Sequence, residues 1–259
     1  PTAVNYVRQG VTTLIEVNDG DSPLPLHPFL DRLSRTPIAV NYGTFTGQGT
    51  VRQSVLALEN RKAAPAEIRK MKSLVEQAMR DGAFGLSTGL FYVPGSYTPT
   101  EEVIELARAA GGLGGIYISH IRDEAAEILA SVRETIRIGE EARLPVQITH
   151  HKIVGRRNWG KSVETLRLVE EARARGIDVT LDQYPYTASS TGTTALFPQW
   201  SLEGGFEALA RRLQDPAQRA KIKAVVIDRI LNDRGGGDPR NIVMGDCPFE
   251  PSLNGRNLA

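Results

Sequence analysis

The feature that most constrains this chain is an alternation. Short β-branched apolar runs at residues 11–17, 37–42, 83–87, 115–119, 145–149 and 177–181 are separated by stretches long enough to form helices. The stretch over 64–81 places Ile68, Met71, Leu74, Val75 and Ala78 on one face at helical spacing, and Gly82 closes it. A second helix opens near Thr100, with Thr98 or Thr100 as its cap and Glu101 and Glu102 in its first turn. Two more are expected over 124–142 and 162–175, the latter ended by Gly176. About six strands with helices between them imply a parallel sheet joined by right-handed crossovers. An open doubly wound sheet and a (β/α)8 barrel both satisfy this pattern. No glycine-rich nucleotide loop follows the first strand, which weighs against the doubly wound dinucleotide fold.

Composition bounds the rest. With 259 residues, 41% of them hydrophobic and 24% charged, the chain can bury the core of one large α/β domain or two smaller ones. Its 31 basic and 30 acidic residues leave a net charge of +1, with no basic stripe to suggest nucleic acid or a membrane surface as partner. No apolar run approaches the roughly 18 residues of a membrane span, and no signal peptide opens the chain. The single cysteine, Cys247, excludes an intrachain disulfide framework and fits a reducing cytoplasm. Residues 4–10 read as the tail of a helix entering a strand, and 257–259 as the opening of another element. The chain is therefore expected to be a fragment of a longer protein. After Trp200 the texture changes: residues 201–234 are helical and highly charged, 234–239 form a glycine-rich turn, and 241–244 suit one more short strand. This divides the chain into a barrel portion, 1–200, and a small inserted segment, 201–259.

In a parallel barrel the chemistry sits at the carboxyl ends of the strands. His120 directly follows Gly-Gly-Ile-Tyr-Ile-Ser, and His150 directly follows Pro-Val-Gln-Ile-Thr, one βα unit later. Two of only four histidines thus sit at matching places on consecutive strands, where both imidazoles reach one ion; imidazole is a common zinc ligand. His151 points the other way if the strand pleat persists, and an exchange of His150 for His151 is the main alternative. His27, in a proline-rich loop, reads as structural. Asp19 ends the first strand, where a carboxylate can ligate or bridge metal ions, although Asn-Asp-Gly is also an ordinary turn. Asp123 and Glu124 suit a helix N-terminus. Arg122 and Lys152 each stand two residues past a proposed ligand, placed to hold a substrate carboxylate if they face the mouth. Tyr184-Pro185-Tyr186 and the hydroxyl-rich 187–191 form a polar rim with tyrosines able to donate to a substrate oxygen. Rival schemes are weaker: there is no Gly-x-Ser-x-Gly elbow, and no histidine lies near Cys247.

At these residues the chain resembles the D-aminoacylase, or N-acyl-D-amino-acid deacylase, family of the amidohydrolase superfamily. The resemblance rests on Gly10-Val11-Thr12-Thr13, Gly82-Ala83-Phe84-Gly85-Leu86-Ser87-Thr88-Gly89-Leu90, Ser119-His120-Ile121-Arg122-Asp123-Glu124, Thr149-His150-His151-Lys152 and Asp182-Gln183-Tyr184-Pro185-Tyr186-Thr187-Ala188-Ser189, in order along nearly the whole chain. It implies an incomplete, distorted TIM barrel, strands about two to seven, that binds one or two zinc ions and hydrolyses the amide of a small-molecule N-acyl-D-amino acid. It makes His120 and His150 the paired histidine ligands of the fifth and sixth strands. Asp19 then stands where family members place a metal-bridging cysteine. Lys152, Tyr184 and Ser190 become substrate contacts, with Tyr184 polarising the scissile carbonyl. The family's first-strand His-x-His pair falls before Pro1, and its general-base aspartate and a carboxylate-binding arginine after Ala259, so a protein ending there is expected to be inactive. Cyclic amidases of the dihydroorotase and hydantoinase kind share the barrel but carry a lysine on the fourth strand, which Leu86-Ser87-Thr88 lacks. A non-catalytic relative is the remaining alternative. Oligomeric state is not readable from the sequence.

Overall fold

The computed structural model describes residues 2–259, and in it the apolar runs become short parallel strands. The order is α1 (Val4–Val7), β1 (Thr13–Glu16), α2 (His27–Ser34), β2 (Asn41–Thr44), β3 (Thr46–Gly47), α3 (Gln48–Leu56), α4 (Pro65–Arg80), β4 (Gly85–Gly89), α5 (Thr100–Gly111), β5 (Ile116–His120), α6 (Ile128–Ala142), β6 (Val146–Ile148), α7 (Ser162–Ala174), β7 (Val179–Leu181), α8 (Gly205–Gln214) and α9 (Pro216–Asn232). β1 pairs with β2, and β3 to β7 form a five-stranded sheet in sequence order. The second expected strand is split at Phe45, so that β2 bonds β1 while β3 bonds β4. Two hydrogen bonds carry the ladder across the split: Phe45 N–H to the Glu16 carbonyl (3.2 Å) and Phe84 N–H to the Thr44 carbonyl (2.8 Å).

Monotonic strand order decides between the two folds the pattern allows. Right-handed crossovers between successive strands in one direction put every helix on the same face, the rule of a barrel; a doubly wound sheet reverses order and covers both faces. Accordingly α4, α5, α6 and α7 pack side by side, each against its neighbour. Leu86, Tyr117, Val146 and Val179 stand in register across β4 to β7. All four are buried in one cluster with Met71 and Val75 of α4, Val103 and Leu106 of α5, Val132 and Ile136 of α6, and Val169 of α7. Each such side chain contributes roughly 1.5–3 kcal/mol on burial. The opposite row, Ser87, Ile118, Gln147 and Thr180, is largely polar and runs from fully buried Ser87 to exposed Thr180. It is the inner wall of an α/β barrel arc.

Three local expectations are corrected. The N-cap of α5 is Pro99 without a side-chain cap; the Thr98 hydroxyl instead accepts from Gln48 Nε2 at 3.0 Å in the interior. α6 starts at Ile128, four residues late, because Asp123 accepts the N–H groups of Ala125 and Glu127 and holds 123–127 as a turn. Residues 241–244 form no strand, only an antiparallel bridge between Val243 and Asn257. The helical expectation for 201–234 is met by α8 and α9, which pack on each other and on the turns at 193–202. Among the described residues no helix is long and apolar enough to cross a membrane.

Candidate metal centre

β5 ends at His120, and His150 follows β6 by two residues in a left-handed turn of φ 41°. Their rings meet edge-on, with centroids 4.4 Å apart. His151 goes the other way: its Nε2 lies 2.9 Å from Thr165 Oγ1, buried under α7. The geometry therefore brings His150, not His151, to His120.

Asp19 arrives from the other side of the arc. Beyond β1, Val17 takes a left-handed φ of 71°, and Asp19 Oδ1 comes to 3.9 Å from His120 Nδ1 and 3.6 Å from His150 Nε2. One ligand atom of each of the three residues lies within 4.8 Å of the others. Two glycines make the approach possible. A Cβ on Gly89, the partner of His120 in the ladder, would stand 2.2 Å from the Asp19 carbonyl oxygen, and one on Gly20 would stand 2.6 Å from the Gly89 nitrogen. Only glycine lets these backbones touch.

The donor set fits a divalent cation. His120 is 5% exposed, yet neither ring nitrogen has a hydrogen-bond partner. Two orphaned buried nitrogens cost free energy unless something binds them. Burial, outweighing the nearby Glu124, pulls the His120 pKa down to about 4, so the ring is neutral and ready to ligate. For His150 burial also opposes charge, but the Asp19 and Glu124 carboxylates facing its two ring nitrogens overcome it and raise the pKa to about 9. Nε2, which faces Asp19 at 3.6 Å, is the nitrogen on which a metal would compete with a proton. Burial works against ionisation of Asp19 as well, and the facing His150 and His120 rings still hold its pKa below the usual value.

Glu124 is the residue of this cluster that the sequence alone does not single out. It reads as a first-turn helix acid, but the Asp123 turn releases it to face inward, where it is 6% exposed. Its carboxylate lies 3.0 Å from His150 Nδ1 and accepts a hydrogen bond from Lys152 Nζ. Despite burial, the contact with His150 and the Lys152 ammonium hold its pKa at about 2. Assigning the Nδ1 proton to Glu124 leaves Nε2 as the lone pair for a metal, the carboxylate–histidine arrangement common around zinc. The available signal was the Asp-Glu pair itself, since one carboxylate suffices to cap the turn.

The other expected residues are placed as follows. Lys152 Nζ, besides Glu124, lies 2.9 Å from His150 Nδ1 and 5.5 Å from the Tyr184 ring centre. Tyr184 stands 6.5 Å from His150, ring to ring, and burial raises its pKa, so it keeps its proton as a donor. Ser190 is exposed on the rim. Arg122 departs from expectation: Nε and Nη2 grip both oxygens of Glu134 at 2.9 and 2.8 Å, and the guanidinium also donates to the Thr98 and Ser96 carbonyls. With those donors engaged it ties α6 to the loop after β4, and no substrate role is assigned to it. In its place the aromatic pair Phe91 and Tyr92 flanks His120 at 5.9 and 4.7 Å. β4 carries no lysine.

Comparison with known proteins identifies relatives of the chain. No family model matches the chain. A curated D-aminoacylase from Alcaligenes xylosoxydans xylosoxydans is 44% identical over 208 residues, covering 71% of this chain and 43% of the relative. The crystal structure of a D-aminoacylase that defines a novel subset of amidohydrolases superposes with a TM-score of 0.74 at 33% identity, over 97% of this chain and 50% of that one. The N-acyl-D-glutamate deacylase of Bordetella bronchiseptica, solved with zinc and a phosphonate inhibitor, gives a TM-score of 0.68 at 30% identity over 72% and 44%. The chain spans about half the length of the relatives it matches. It belongs to the D-aminoacylase (N-acyl-D-amino-acid deacylase) family of the amidohydrolase superfamily.

Proposed function

We propose that this chain supplies part of the zinc site and the substrate cradle of an enzyme that hydrolyses N-acyl-D-amino acids to a D-amino acid and a carboxylate. The observation that carries the reading is His120, buried with both ring nitrogens unpartnered, beside His150 and Asp19. His120, His150 and Asp19 would hold the metal. Zinc bound there would supply a Lewis acid and a water whose pKa is lowered to about 7. The chain's own residues do the positioning. Glu124 fixes the His150 ring through Nδ1, and Lys152 balances the Glu124 charge. Tyr184, protonated at neutral pH, is placed to donate to the scissile carbonyl as charge develops on its oxygen. Lys152, beside Glu124 and His150, and Ser190, exposed on the rim, are assigned as contacts for the substrate carboxylate. The zinc and phosphonate bound by the Bordetella bronchiseptica relative support this choice of metal and reaction class. Residues 201–259 are read as the small inserted segment of the barrel, and the protein is read as cytoplasmic.

The test is metal analysis of the native polypeptide carrying this sequence, with a screen of N-acetyl-D-amino acids against their L-isomers and against hydantoins. Zinc at one or two equivalents with D-selective turnover is expected. Preference for L-substrates or cyclic amides overturns the reading.

A further inference from the structure

The stretch 183–191, which carries Tyr184 and Ser190, lies outside every helix and strand, and all of it but Tyr184 is exposed. Among the described residues its backbone makes no hydrogen bond, and a single hydrogen bond reaches it from outside: Thr191 Oγ1 lies 3.0 Å from the Tyr92 hydroxyl. Tyr92, by contrast, is firmly seated. Its N–H donates to the Gly89 carbonyl at 3.0 Å, and its own carbonyl accepts the Ser96 N–H at 2.7 Å. Phe91 meets its ring edge-on at 5.3 Å, and the ring packs 4.7 Å from that of His120. A Cβ on Gly89 would stand 3.0 Å from Tyr92 Cδ2, so the bare backbone there leaves room for the ring beside the strand end. Burial raises the pKa of the Tyr92 hydroxyl, which keeps its proton. The other links between the same two loops, from Tyr97 to the Gln199 carbonyl (2.7 Å) and from Gln199 Nε2 to the Phe91 carbonyl (3.4 Å), fall at residue 199 and do not reach 183–191. One side chain thus touches a candidate metal ligand with its ring and the substrate rim with its hydroxyl.

We infer that Tyr92 is a positioning residue: its hydroxyl tethers the 183–191 rim through Thr191 and so holds Tyr184 and Ser190 ready for a substrate at the metal centre. This rests on the deacylase reading above. An untethered rim gives up chain entropy each time a substrate closes its contacts there, and that cost is felt as weaker binding. A tether already made in the free protein removes part of it. Substrate binds the ordered rim, so apparent affinity falls with the fraction of molecules that hold it, while the bound complex reacts as before. The effect therefore falls on KM. A neutral hydrogen bond of ordinary net strength corresponds to roughly 2- to 10-fold in such a population.

The experiment compares native polypeptide with three variants. Y92F deletes the hydroxyl and keeps the ring beside His120, T191V deletes the other partner and keeps its shape, and T191S keeps the hydroxyl. Y92F and T191V are each expected to raise KM for an N-acetyl-D-amino acid about 2- to 10-fold, with kcat and bound zinc within about twofold of native. The double variant goes no further than either single one, and T191S stays near native. Additive losses in the double variant overturn the inference. So does an unchanged KM in both single variants, or a fall in kcat confined to Y92F, which puts the hydroxyl on the substrate itself. The tether also has a readout without turnover. Tyr186 is 75% exposed within the stretch, and chymotryptic cleavage after it should be about 2- to 10-fold faster in Y92F and in T191V and native-like in T191S. Cleavage indifferent to Y92F and T191V overturns the inference whatever the kinetics. Cleavage accelerated as expected in a protein that turns over no N-acyl-D-amino acid overturns the deacylase reading alone.

Discussion

Replacing Glu124 by glutamine tests the assignment of the His150 proton most directly. The two side chains have the same shape, so packing at this 6%-exposed position is preserved. The change lies in the hydrogen bonds. The carboxylate faces two donors, His150 Nδ1 and Lys152 Nζ, and an amide must present its NH2 to one of them. A buried donor left facing a donor costs about 1–3 kcal/mol. At ~1.4 kcal/mol per decade that is roughly 5- to 100-fold in zinc affinity, similar to the 10- to 100-fold seen when outer partners of metal ligands are removed. A second effect opposes it. The same carboxylate helps raise the metal-free His150 pKa to about 9, so below that pH a proton competes with the metal, and E124Q weakens that competitor too. The loss of affinity should therefore be partly masked at pH 7 and fully visible near pH 9. Competition with a chromophoric zinc chelator at both pH values measures it. A zinc Kd for E124Q within twofold of the native value at both pH values refutes the assignment.

Further outcomes are expected. His120→Ala or His150→Ala removes bound zinc, whereas His151→Ala keeps it and instead lowers Tm, because the buried contact with Thr165 is lost; metal content and thermal melts separate the three. Gly89→Ala drives a methyl into the Asp19 carbonyl and weakens zinc binding with the helix content unchanged by circular dichroism; full affinity in this variant shows that Asp19 is not a ligand. Asp182→Ala frees the His150 backbone N–H, which Asp182 Oδ1 accepts at 2.6 Å, and weakens zinc binding without touching any ligand side chain. Glu67 accepts from Ala64 N–H at the start of α4 and from Arg61, and these bonds, the Arg61 one foremost, hold its pKa at about 2. A depressed acid stabilises above its ordinary value of 4.5 and loses that contribution as pH falls toward 2, so E67Q should flatten Tm against pH in that window.

Much of this was legible in the sequence because both the helix period and the strand ends are local signals. The apolar face of α4 and the position of His120 at the tip of β5 are fixed by residues close in the chain. What was not legible depends on competition between neighbours. Asp123 and Glu124 suit a helix start equally well, and only the fold shows that one caps the turn while the other is released to meet Lys152, 28 residues away. Arg122 is the converse case. Its charge suggests a ligand, but Glu134, two turns into α6, occupies the same fork. Phe45 splits a strand because its two sides serve different neighbours, which no run of apolar residues reveals.

The pairing of His120 with His150 rests on a deviation that the matching strand ends conceal. In the ladder Ser119 stands opposite Ile148, so the residue level with His120 is Thr149. Strict alternation would aim Thr149 at the barrel interior and send His150 to the helix side with Ile148. The left-handed turn at His150 breaks the pleat and swings the imidazole inward. A non-glycine residue held there costs on the order of 1–3 kcal/mol and needs its surroundings to hold it. Asp182, one residue past β7, does so from both ends. Its carboxylate accepts the His150 N–H, and its carbonyl accepts the His151 N–H at 2.8 Å. The same clamp sends His151 to Thr165. The candidate metal centre thus draws on three consecutive strand ends, and the third adds no side chain to the His120–His150–Asp19 cluster: it sets the backbone that turns a helix-facing histidine toward His120 and Asp19.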